Sequence, residues 1–238
     1  MFRIKKIVVY LIYILIGSGQ FYTQDLQFGS VIDVEGTVYR TVFLGKYEWM
    51  TENLRTTTYN DGIEIPVVKD DSVWVSLKSG ACCWFNNKNE NAPKFGALYN
   101  WYAVETKKLA PEGWRIPSDE EWKYLEGYVD TYYKVGNDVW NKTGSRGLDA
   151  GKKLKSESCW NTDGNGTNNY EFSALPGGER LLRNGEYFIL GSNGFWWTST
   201  ESGSEEAWFR IIIYAFDDVI RSTHNKGHGF SVRCIRDR

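Results

Sequence analysis

Histidine, methionine and proline are scarce in this sequence, with 2, 2 and 5 residues among 238. Neither sign of charge dominates, because 28 Lys and Arg stand against 30 Asp and Glu and leave a formal net charge of −2. That balance excludes a nucleic-acid-binding protein with a broad basic surface, and it excludes an acidic solvating tail. Beyond residue 19, no apolar run is long enough to cross a membrane as a helix.

Aromatic residues and glycine are abundant by contrast. The chain has 11 Trp, 15 Tyr, 12 Phe and 24 Gly, and 42% of its residues are hydrophobic. A large aromatic side chain can bury about 150 to 250 Å², so a chain of this length can form a sizeable core. The composition is typical of a globular protein of one or two domains, but it does not indicate a function.

The first 19 residues have the order of features found in a secretory signal peptide. One arginine and two lysines precede an apolar run over residues 7–16, and the small residues required for cleavage follow at 17–19. The run is too short to span roughly 30 Å of hydrocarbon. We therefore expect cleavage after Gly19 and export through the Sec route to the periplasm, the cell surface or the medium.

Export would place four cysteines in an oxidising compartment, where disulfides form. They are Cys82, Cys83, Cys159 and Cys234. Cys82 and Cys83 are adjacent, so a bridge between them would require a strained ring. A bridge from this pair to Cys159 or Cys234 is favoured, with buried free thiols as the alternative. The sequence has no C-x-x-C motif, and the spacing of its cysteines and histidines suits no zinc site.

Alternation of apolar and polar residues predicts strands near both ends of the chain. Residues 31–50 predict two hairpins, with turns at Glu35-Gly36 and at Leu44-Gly45-Lys46. The same pattern predicts a later hairpin over 182–190 through Asn184-Gly185. Three further strands are predicted over 195–199, 207–214 and 230–235.

The middle of the chain predicts two helices. Ser118 and Glu121 have the spacing of a capping box, in which each side chain satisfies a backbone N–H at the start of a helix. A helix over 119–130 is therefore predicted, with three apolar residues on one face, Trp122, Leu125 and Val129. A shorter helix is predicted over 97–105.

Two polar stretches between these elements predict long loops, over 56–72 and over 141–171. Strands come first, helices lie in the middle and strands return at the end. This order favours a single α+β domain with short antiparallel sheets, one or two helices and long irregular loops.

Eight short strings carry a resemblance to a known family. They are DVEGTVY (33–39), WMTENLRT (49–56), YNDG (59–62), GALYNWY (96–102), GWRIPSDEEW (113–122), ALPGG (174–178), WWTSTE (196–201) and GFSVRC (229–234). In this order, over about residues 31–237, they resemble the Fibrobacter succinogenes major paralogous domain. The resemblance implies a secreted or surface protein of a Bacteroidetes-type bacterium, in a family without an established enzymatic activity.

A more distant resemblance concerns the fold. GWRIPSDEEW, the late WWTST and the terminal GFSVRC are similar to the formylglycine-generating-enzyme and C-type-lectin-like architecture. The resemblance implies a C-type-lectin-like domain over 31–238, after a short lead over 20–30, with the last strand beside the first. The copper chemistry of the formylglycine-generating relatives is not implied, because only Cys234 occurs where those relatives have a late cysteine pair.

The sequence departs from the family pattern at its cysteines. Ala110 stands where the family usually has a cysteine, so Cys234 lacks the partner that the resemblance would give it. Cys159 does not belong to the usual pattern and is the candidate replacement. Cys83 fits the family pattern, whereas Cys82 does not.

No catalytic constellation stands out in the sequence. His224 and His228 are the only histidines that could act as bases, and no G-x-S-x-G elbow is present. Gly227 and Gly229 favour a loop at this point, and two histidines alone do not fill a metal site, although two aspartates lie close in sequence. Ordinary loop histidines are the favoured interpretation. We expect a protein that is not an enzyme, with an unrecognised active site as the alternative.

Residues 161–167 resemble the start of a calcium-binding loop. Oxygen-bearing side chains occupy alternate positions, with glycine at the sixth; they are Asn161, Asp163, Asn165 and Thr167. The twelfth position is Phe172, where such loops require glutamate. A loop without an ion is therefore the favoured interpretation, and calcium is the one candidate cofactor.

Aromatic side chains near the predicted loops indicate a surface for a sugar. Four rings are candidates for a binding platform: Trp160, Tyr170, Tyr187 and Trp196. Asp217 and Arg221 are the candidates for binding hydroxyl groups. Core positions are the alternative for each ring, because large rings are mostly buried. The sequence thus predicts a secreted, non-catalytic protein that binds an extracellular glycan, with a protein-interaction or adhesion module for a surface protein as the alternative.

Overall fold

Two antiparallel four-stranded sheets and one long helix position the functional groups of the protein. The computed structural model describes residues 26–238, so the predicted signal peptide and the first part of the predicted lead lie outside the described residues. Strands β1 to β12 are, in chain order, Phe28–Ile32, Val38–Leu44, Tyr47–Met50, Cys82–Cys83, Leu98–Tyr99, Gly144–Arg146, Glu179–Arg180, Tyr187–Phe188, Asn193–Gly203, Glu206–Ile213, Val219–Asn225 and Ile235–Asp237. Helices α1 to α5 are Asp71–Ser76, Ala92–Phe95, Trp101–Glu105, Asp119–Val129 and Ala150–Leu154.

The first sheet has the order β1-β2-β3-β12, and it contains the two hairpins predicted over 31–50. Gly36 and Gly45 occupy the turns with φ of 80° and 64°, a region in which glycine is the least strained residue. Trp49 of β3 pairs with Ile235 of β12. The last strand therefore lies beside the third strand, and not beside the first strand as the resemblance implied.

The strand predicted over 230–235 is largely wrong, because β12 covers only Ile235–Asp237. The residues before β12 change their backbone partner at each step. The Phe230 amide donates to the Tyr99 carbonyl at 3.0 Å, and the Leu54 amide donates to the Val232 carbonyl at 2.8 Å. This segment passes between several elements, so it does not form a regular ladder with any one of them.

The second sheet has the order β6-β11-β10-β9 and is antiparallel throughout. Strands β9 and β10 confirm the strands predicted over 195–199 and 207–214, although β9 is longer. Strand β11 was not predicted. Its buried positions are Val219 and Arg221, and an arginine at a buried position interrupts the apolar alternation on which the prediction depends.

Helix α4 contacts both sheets and confirms the helix predicted over 119–130. Ser118 and Glu121 form the expected capping box at its first turn. Trp122 lies on the buried face, with its ring centre 5.3 Å from that of Trp49 and 6.3 Å from that of Trp196. Since Trp49 belongs to the first sheet and Trp196 to the second, these indole rings join the helix to both sheets.

Two predictions for the middle of the chain are only partly correct. The helix predicted over 97–105 begins at Trp101, because Leu98 and Tyr99 form a strand with Cys82–Cys83. The loop predicted over 141–171 contains β6 and α5. Both elements are short and contain turn-forming residues, so the sequence pattern does not distinguish them from a loop.

The coarse prediction of an α+β protein is confirmed. The sheets within residues 26–238 are antiparallel, and among the described helices only α4 is longer than six residues. Within residues 26–238 there are five helices where one or two were predicted, and all but α4 have six residues or fewer. The C-type-lectin-like arrangement remains a prediction. None of the helices from residue 26 onward combines the length and the apolar character needed to cross a membrane.

Candidate functional site

A groove of about 380 Å³ lies beside α4. Three aromatic side chains, two amides and three charged groups line it: Tyr47, Tyr124, Trp140, Asn137, Asn141, Lys46, Glu120 and Lys123. The turn between β2 and β3, the first half of α4 and a 3₁₀ turn at Asp138–Asn141 supply these residues. We call this site the tyrosine groove.

Local sequence explains why these side chains meet. Glu120, Lys123 and Tyr124 are three and four residues apart on α4, so they share one helix face. Gly45 lets the β2–β3 turn approach Tyr124 closely, because a Cβ at residue 45 would lie 2.5 Å from the Tyr124 hydroxyl oxygen. Asn137 begins the 3₁₀ turn with a side chain that accepts a backbone N–H two residues later.

A row of tyrosine rings extends from the groove along α4. The rings of Tyr47 and Tyr124 meet edge to face at 5.3 Å between centroids. Tyr124 and Tyr128 are nearly parallel, with 12° between their planes and 6.2 Å between centroids. Tyr170 continues the row at 5.9 Å from Tyr128. Tyr124, Tyr128 and Tyr170 are half-buried, so part of each ring faces solvent.

Charged side chains surround these rings. The Lys46 ammonium lies 5.0 Å from the Tyr47 ring centre and 4.8 Å from that of Tyr124. Lys123 donates to Glu120 at 2.6 Å and to the Asn141 side-chain oxygen at 2.9 Å. The groove therefore offers ring surface together with donors and acceptors that are already positioned by one another.

The four predicted aromatic residues do not form one platform, and this prediction requires correction. Trp196 is fully buried, and its indole N–H donates to Asn53 at 2.9 Å. Trp160 is also buried, and its indole N–H donates to the Ala174 carbonyl at 3.1 Å. Both indoles fill the core and satisfy their polar atom there, so neither can present a ring face to a ligand.

The remaining two predicted rings lie in different places. Tyr170 belongs to the tyrosine row described above. Tyr187 lies on β8, donates its hydroxyl to Asn87 at 2.7 Å and packs 4.9 Å from the guanidinium of Arg180. Tyr124 and Tyr128 were not among the predicted binding residues. Their four-residue spacing, on the helix face beside the predicted apolar face, was the signal that could have identified them.

Arg221 is part of a buried ionic network and not of a ligand site, which corrects the prediction for this residue. Its Nε and Nη2 donate to the two carboxylate oxygens of Asp119, at 2.8 and 2.7 Å. Arg210 donates to the same carboxylate at 2.8 Å. Burial alone would raise the pKa of Asp119, but the hydrogen bonds and charges of Arg221 and Arg210 outweigh burial and hold it well below its usual range. Asp217 is exposed, 3.5 Å from Lys152.

The predicted calcium loop has most of its polar groups engaged with protein atoms. The Asn161 amide donates to Ser192 at 3.1 Å, and the Asn165 side-chain oxygen accepts the Trp160 amide at 3.2 Å. Thr167 donates to a neighbouring asparagine. Asp163 is the single carboxylate within residues 161–167. A loop without an ion stays the favoured interpretation, with calcium as the alternative.

All four cysteines are free, so the favoured disulfide is not present; Cys82, Cys83 and Cys234 are buried thiols, which was the alternative. Cys82 and Cys83 are adjacent on β4, so their side chains point to opposite faces of the strand. Cys82 packs in the same core cluster as Cys234, whereas Cys83 packs in a separate cluster. Burial raises the pKa of the Cys83 thiol to about 11. Cys159 is the one partly exposed cysteine.

His224 and His228, predicted as ordinary loop residues, meet a buried carboxylate. His224 lies on β11, and His228 follows in the next turn. The His228 Nδ1 is 3.3 Å from the Glu179 carboxylate, and one donor atom from each of the three side chains lies within 4.8 Å of the others. Glu179 precedes the histidines by more than forty residues, so no local pattern predicts this contact.

One family model matches most of the chain. It is that of the Fibrobacter succinogenes major domain, and it matches residues 42–236. Searches of curated proteins and of solved structures found no match. The chain therefore belongs to the Fibrobacter succinogenes major domain family, and the resemblance carried by the eight strings is confirmed.

Proposed function

We propose that this member of the Fibrobacter succinogenes major domain family is an exported, non-catalytic protein that binds carbohydrate outside the cell, with the tyrosine groove as its ligand site. One observation carries the proposal. Two half-buried rings, Tyr124 and Tyr128, present nearly parallel planes on one side of α4, and two amides line the groove beside Tyr124.

This arrangement suits the chemistry of a sugar. The C–H groups on the face of a pyranose pack against aromatic rings, which supply a large apolar area in a rigid form. The hydroxyl groups need donors and acceptors, and the amides of Asn137 and Asn141 supply both. Charges of both signs line the groove, so a neutral glycan fits it better than a polyanion.

The size and shape favour a short stretch of a chain over a single sugar. Small-ligand sites usually measure about 300 to 1,000 Å³, and the groove has about 380 Å³. The tyrosine row continues from the groove to Tyr170. A linear glycan would place one end in the groove and further sugar rings against Tyr128 and Tyr170.

The test is a binding screen of the purified protein against a panel of neutral polysaccharides, followed by titration of variants. Tyr124→Ala removes a ring from the groove and should weaken binding by at least about tenfold, equivalent to about 1.4 kcal/mol. Tyr132→Ala is the matched control, because Tyr132 is 71% exposed and does not line the groove. Equal affinity of a folded Tyr124→Ala variant, or no binding across the panel, would contradict the proposal.

A second groove favours the alternative function, the binding of an extended segment of a surface protein. Its volume is about 680 Å³, and four apolar residues line it: Trp101, Val104, Ala110 and Ile116. Ser199 also lines this groove and is exposed. If this groove is the ligand site, Ser199→Arg should abolish binding to peptides on an array, and Ser202→Arg, an exposed change on the same strand, should not.

Export is the remaining part of the proposal. It depends on the predicted signal peptide over residues 1–19. Mass spectrometry of the exported protein should give a chain that begins at Gln20, and an intact N-terminus in exported material would contradict it.

A further inference from the structure

We infer that Glu179, His224 and His228 form a binding site for a divalent transition-metal ion of the zinc and cobalt class. The site is separate from the tyrosine groove, with which it shares no residue. Its three side chains come from β7, β11 and the turn that follows β11. The chain has only two histidines, and both belong to this cluster.

The backbone holds the three groups together. The His228 amide donates to the Asn225 carbonyl at 3.1 Å, and this turn folds the chain back on β11. The two imidazole rings consequently lie 3.6 Å apart between centroids. Strand β7 is fixed beside the turn, because Arg180 and Gly229 exchange two backbone hydrogen bonds of 3.0 and 2.8 Å. Glu179 therefore reaches His228 from a rigid neighbour.

The charge of Glu179 calls for a positive partner. Its side chain is only 9% exposed, and within residues 26–238 its one partner at ion-pair distance is His228. The neighbouring Arg180 is engaged elsewhere, with Asp71 at 2.7 Å and with the carbonyls of Val68 and Gly185. A buried carboxylate without a cation is unfavourable, and a divalent ion would supply the missing charge.

The histidines are suited to act as neutral ligands. The pKa of His224 is lowered, mainly by burial and secondly by the neighbouring His228. Neutral imidazole is the form that binds metal.

The donor set selects the class of metal. Two imidazole nitrogens and one carboxylate suit zinc and its neighbours in the first transition row better than calcium, which prefers oxygen ligands. Tetrahedral zinc needs donor atoms about 3.3 Å apart, so the three side chains must close slightly around the ion. His224 is half-buried, which leaves one side of the cluster open to the ion and to a water ligand.

Coordination also exchanges one local contact. The Nδ1 of His224 accepts the Asn225 amide at 2.9 Å. Binding through Nδ1 gives up this bond directly, and binding through Nε2 places a proton on Nδ1 and so removes the acceptor. The metal must therefore replace a weak contact between adjacent residues, and no long-range hydrogen bond of His224 is lost.

The direct test uses the wild-type protein without a histidine tag, freed of metal by chelator. Because the chain has two histidines, its proton NMR spectrum contains two sets of imidazole signals, and both should shift on stoichiometric addition of Zn²⁺. Co²⁺ should give a visible absorption spectrum that saturates at one ion per chain. Unchanged imidazole signals at millimolar Zn²⁺ would overturn the inference, and this measurement needs no variant.

Variants then assign the ligands. His224→Gln and Glu179→Gln should each weaken the affinity for Co²⁺ by at least about tenfold. Cys159→Ser is the matched control, because it removes the one partly exposed thiol and should leave the affinity unchanged. Loss of Co²⁺ binding in Cys159→Ser, or a thiolate charge-transfer band in the wild type, would move the metal to a cysteine and overturn the inference. Equal affinity in a folded His224→Gln variant would do the same.

Discussion

Arg221 donates hydrogen bonds to both carboxylate oxygens of Asp119, at 2.8 and 2.7 Å, and so links β11 to the first residue of α4. Its guanidinium also lies 3.4 Å from the centre of the Trp208 ring. Both partners of the ion pair are buried, with 8% and 5% of their side chains exposed. The pair is therefore part of the frame that positions α4, and α4 in turn positions the tyrosine groove.

Asp119→Asn should destabilise the protein by about 3 to 5 kcal/mol, because removing one member of a buried ion pair leaves the other charge uncompensated. Urea unfolding measures the change. Asp217→Asn is the matched control, since Asp217 is exposed, and it should change stability by about 0.5 kcal/mol or less. A loss of less than about 1 kcal/mol in Asp119→Asn would show that the network contributes little.

Acid should destabilise the folded protein. The pKa of Asp130 is lowered in the fold, because hydrogen bonds from four backbone amides outweigh the opposing effect of burial, and that of Asp119 is lowered by its arginines. A group with a lower pKa in the folded state binds fewer protons there, so protonation favours unfolding. Its contribution is complete above the unfolded value of about 3.9 and is lost as pH falls through the folded value.

The measurement for this pH dependence is urea unfolding at a series of pH values from neutral to about pH 3. Stability should be constant near neutrality and should decline below about pH 5. Asp119→Asn removes one of the two groups, so its decline should be shallower. A wild-type protein that is as stable at the acid end as at pH 7 would refute the assignment.

Gly45→Ala should weaken both stability and glycan binding. A Cβ at this position would lie 2.5 Å from the hydroxyl of Tyr124, and φ is 64°. The strained backbone costs about 1 to 2 kcal/mol, and Tyr124 must move in addition. Gly36→Ala is the control, because its φ is 80° but no atom lies within 4 Å of the added Cβ. The Gly36→Ala variant should lose stability without any loss of affinity. Equal affinities in the two variants would show that Gly45 has no effect on ligand binding in the groove.

A thiol reagent should label one cysteine in the folded protein and four in denaturant. Burial raises the pKa of Cys83 to about 11, and it raises the pKa of Cys82 and Cys234 as well. These groups stay protonated and inaccessible in the fold. Cys159 should be the labelled residue, as peptide mapping will establish. A denatured protein with only two reactive thiols would indicate a disulfide.

Calcium should not change the thermal midpoint of unfolding. The 161–167 loop offers one carboxylate, Asp163, and the Asn165 oxygen already accepts a backbone amide. Thermal scans with millimolar calcium and with chelator should therefore coincide. A stabilisation by calcium that disappears in Asp163→Asn would restore the calcium loop to consideration.

Local signals in the sequence identified the elements that local chemistry determines. Ser118 and Glu121 predict the start of α4, because a capping box depends on residues three apart. Gly36 and Gly45 predict the two turns of the first sheet, because their backbone conformation excludes most other residues. Strand β11 was not predicted, because the charge of its buried Arg221 is compensated by Asp119, which is distant in sequence.

The candidate sites depend on distant residues, and the sequence does not reveal them. Tyr47 and Tyr124 meet only because β3 and α4 pack together. Composition also cannot separate a buried indole from an exposed ring. Trp196 and Tyr170 both lie near turn-forming sequence, yet Trp196 fills the core and Tyr170 lies on the surface row.

The position of β12 has a consequence for the order in which the protein can fold. Its partner β3 belongs to the first strands to be synthesised, whereas β12 is made almost two hundred residues later. Until then the edge of β3 stays open, and open edges pair readily with other chains. Such distant pairing also slows folding. The growing chain thus spends nearly its whole synthesis with an incomplete sheet, an interval in which binding by a chaperone would protect it from aggregation.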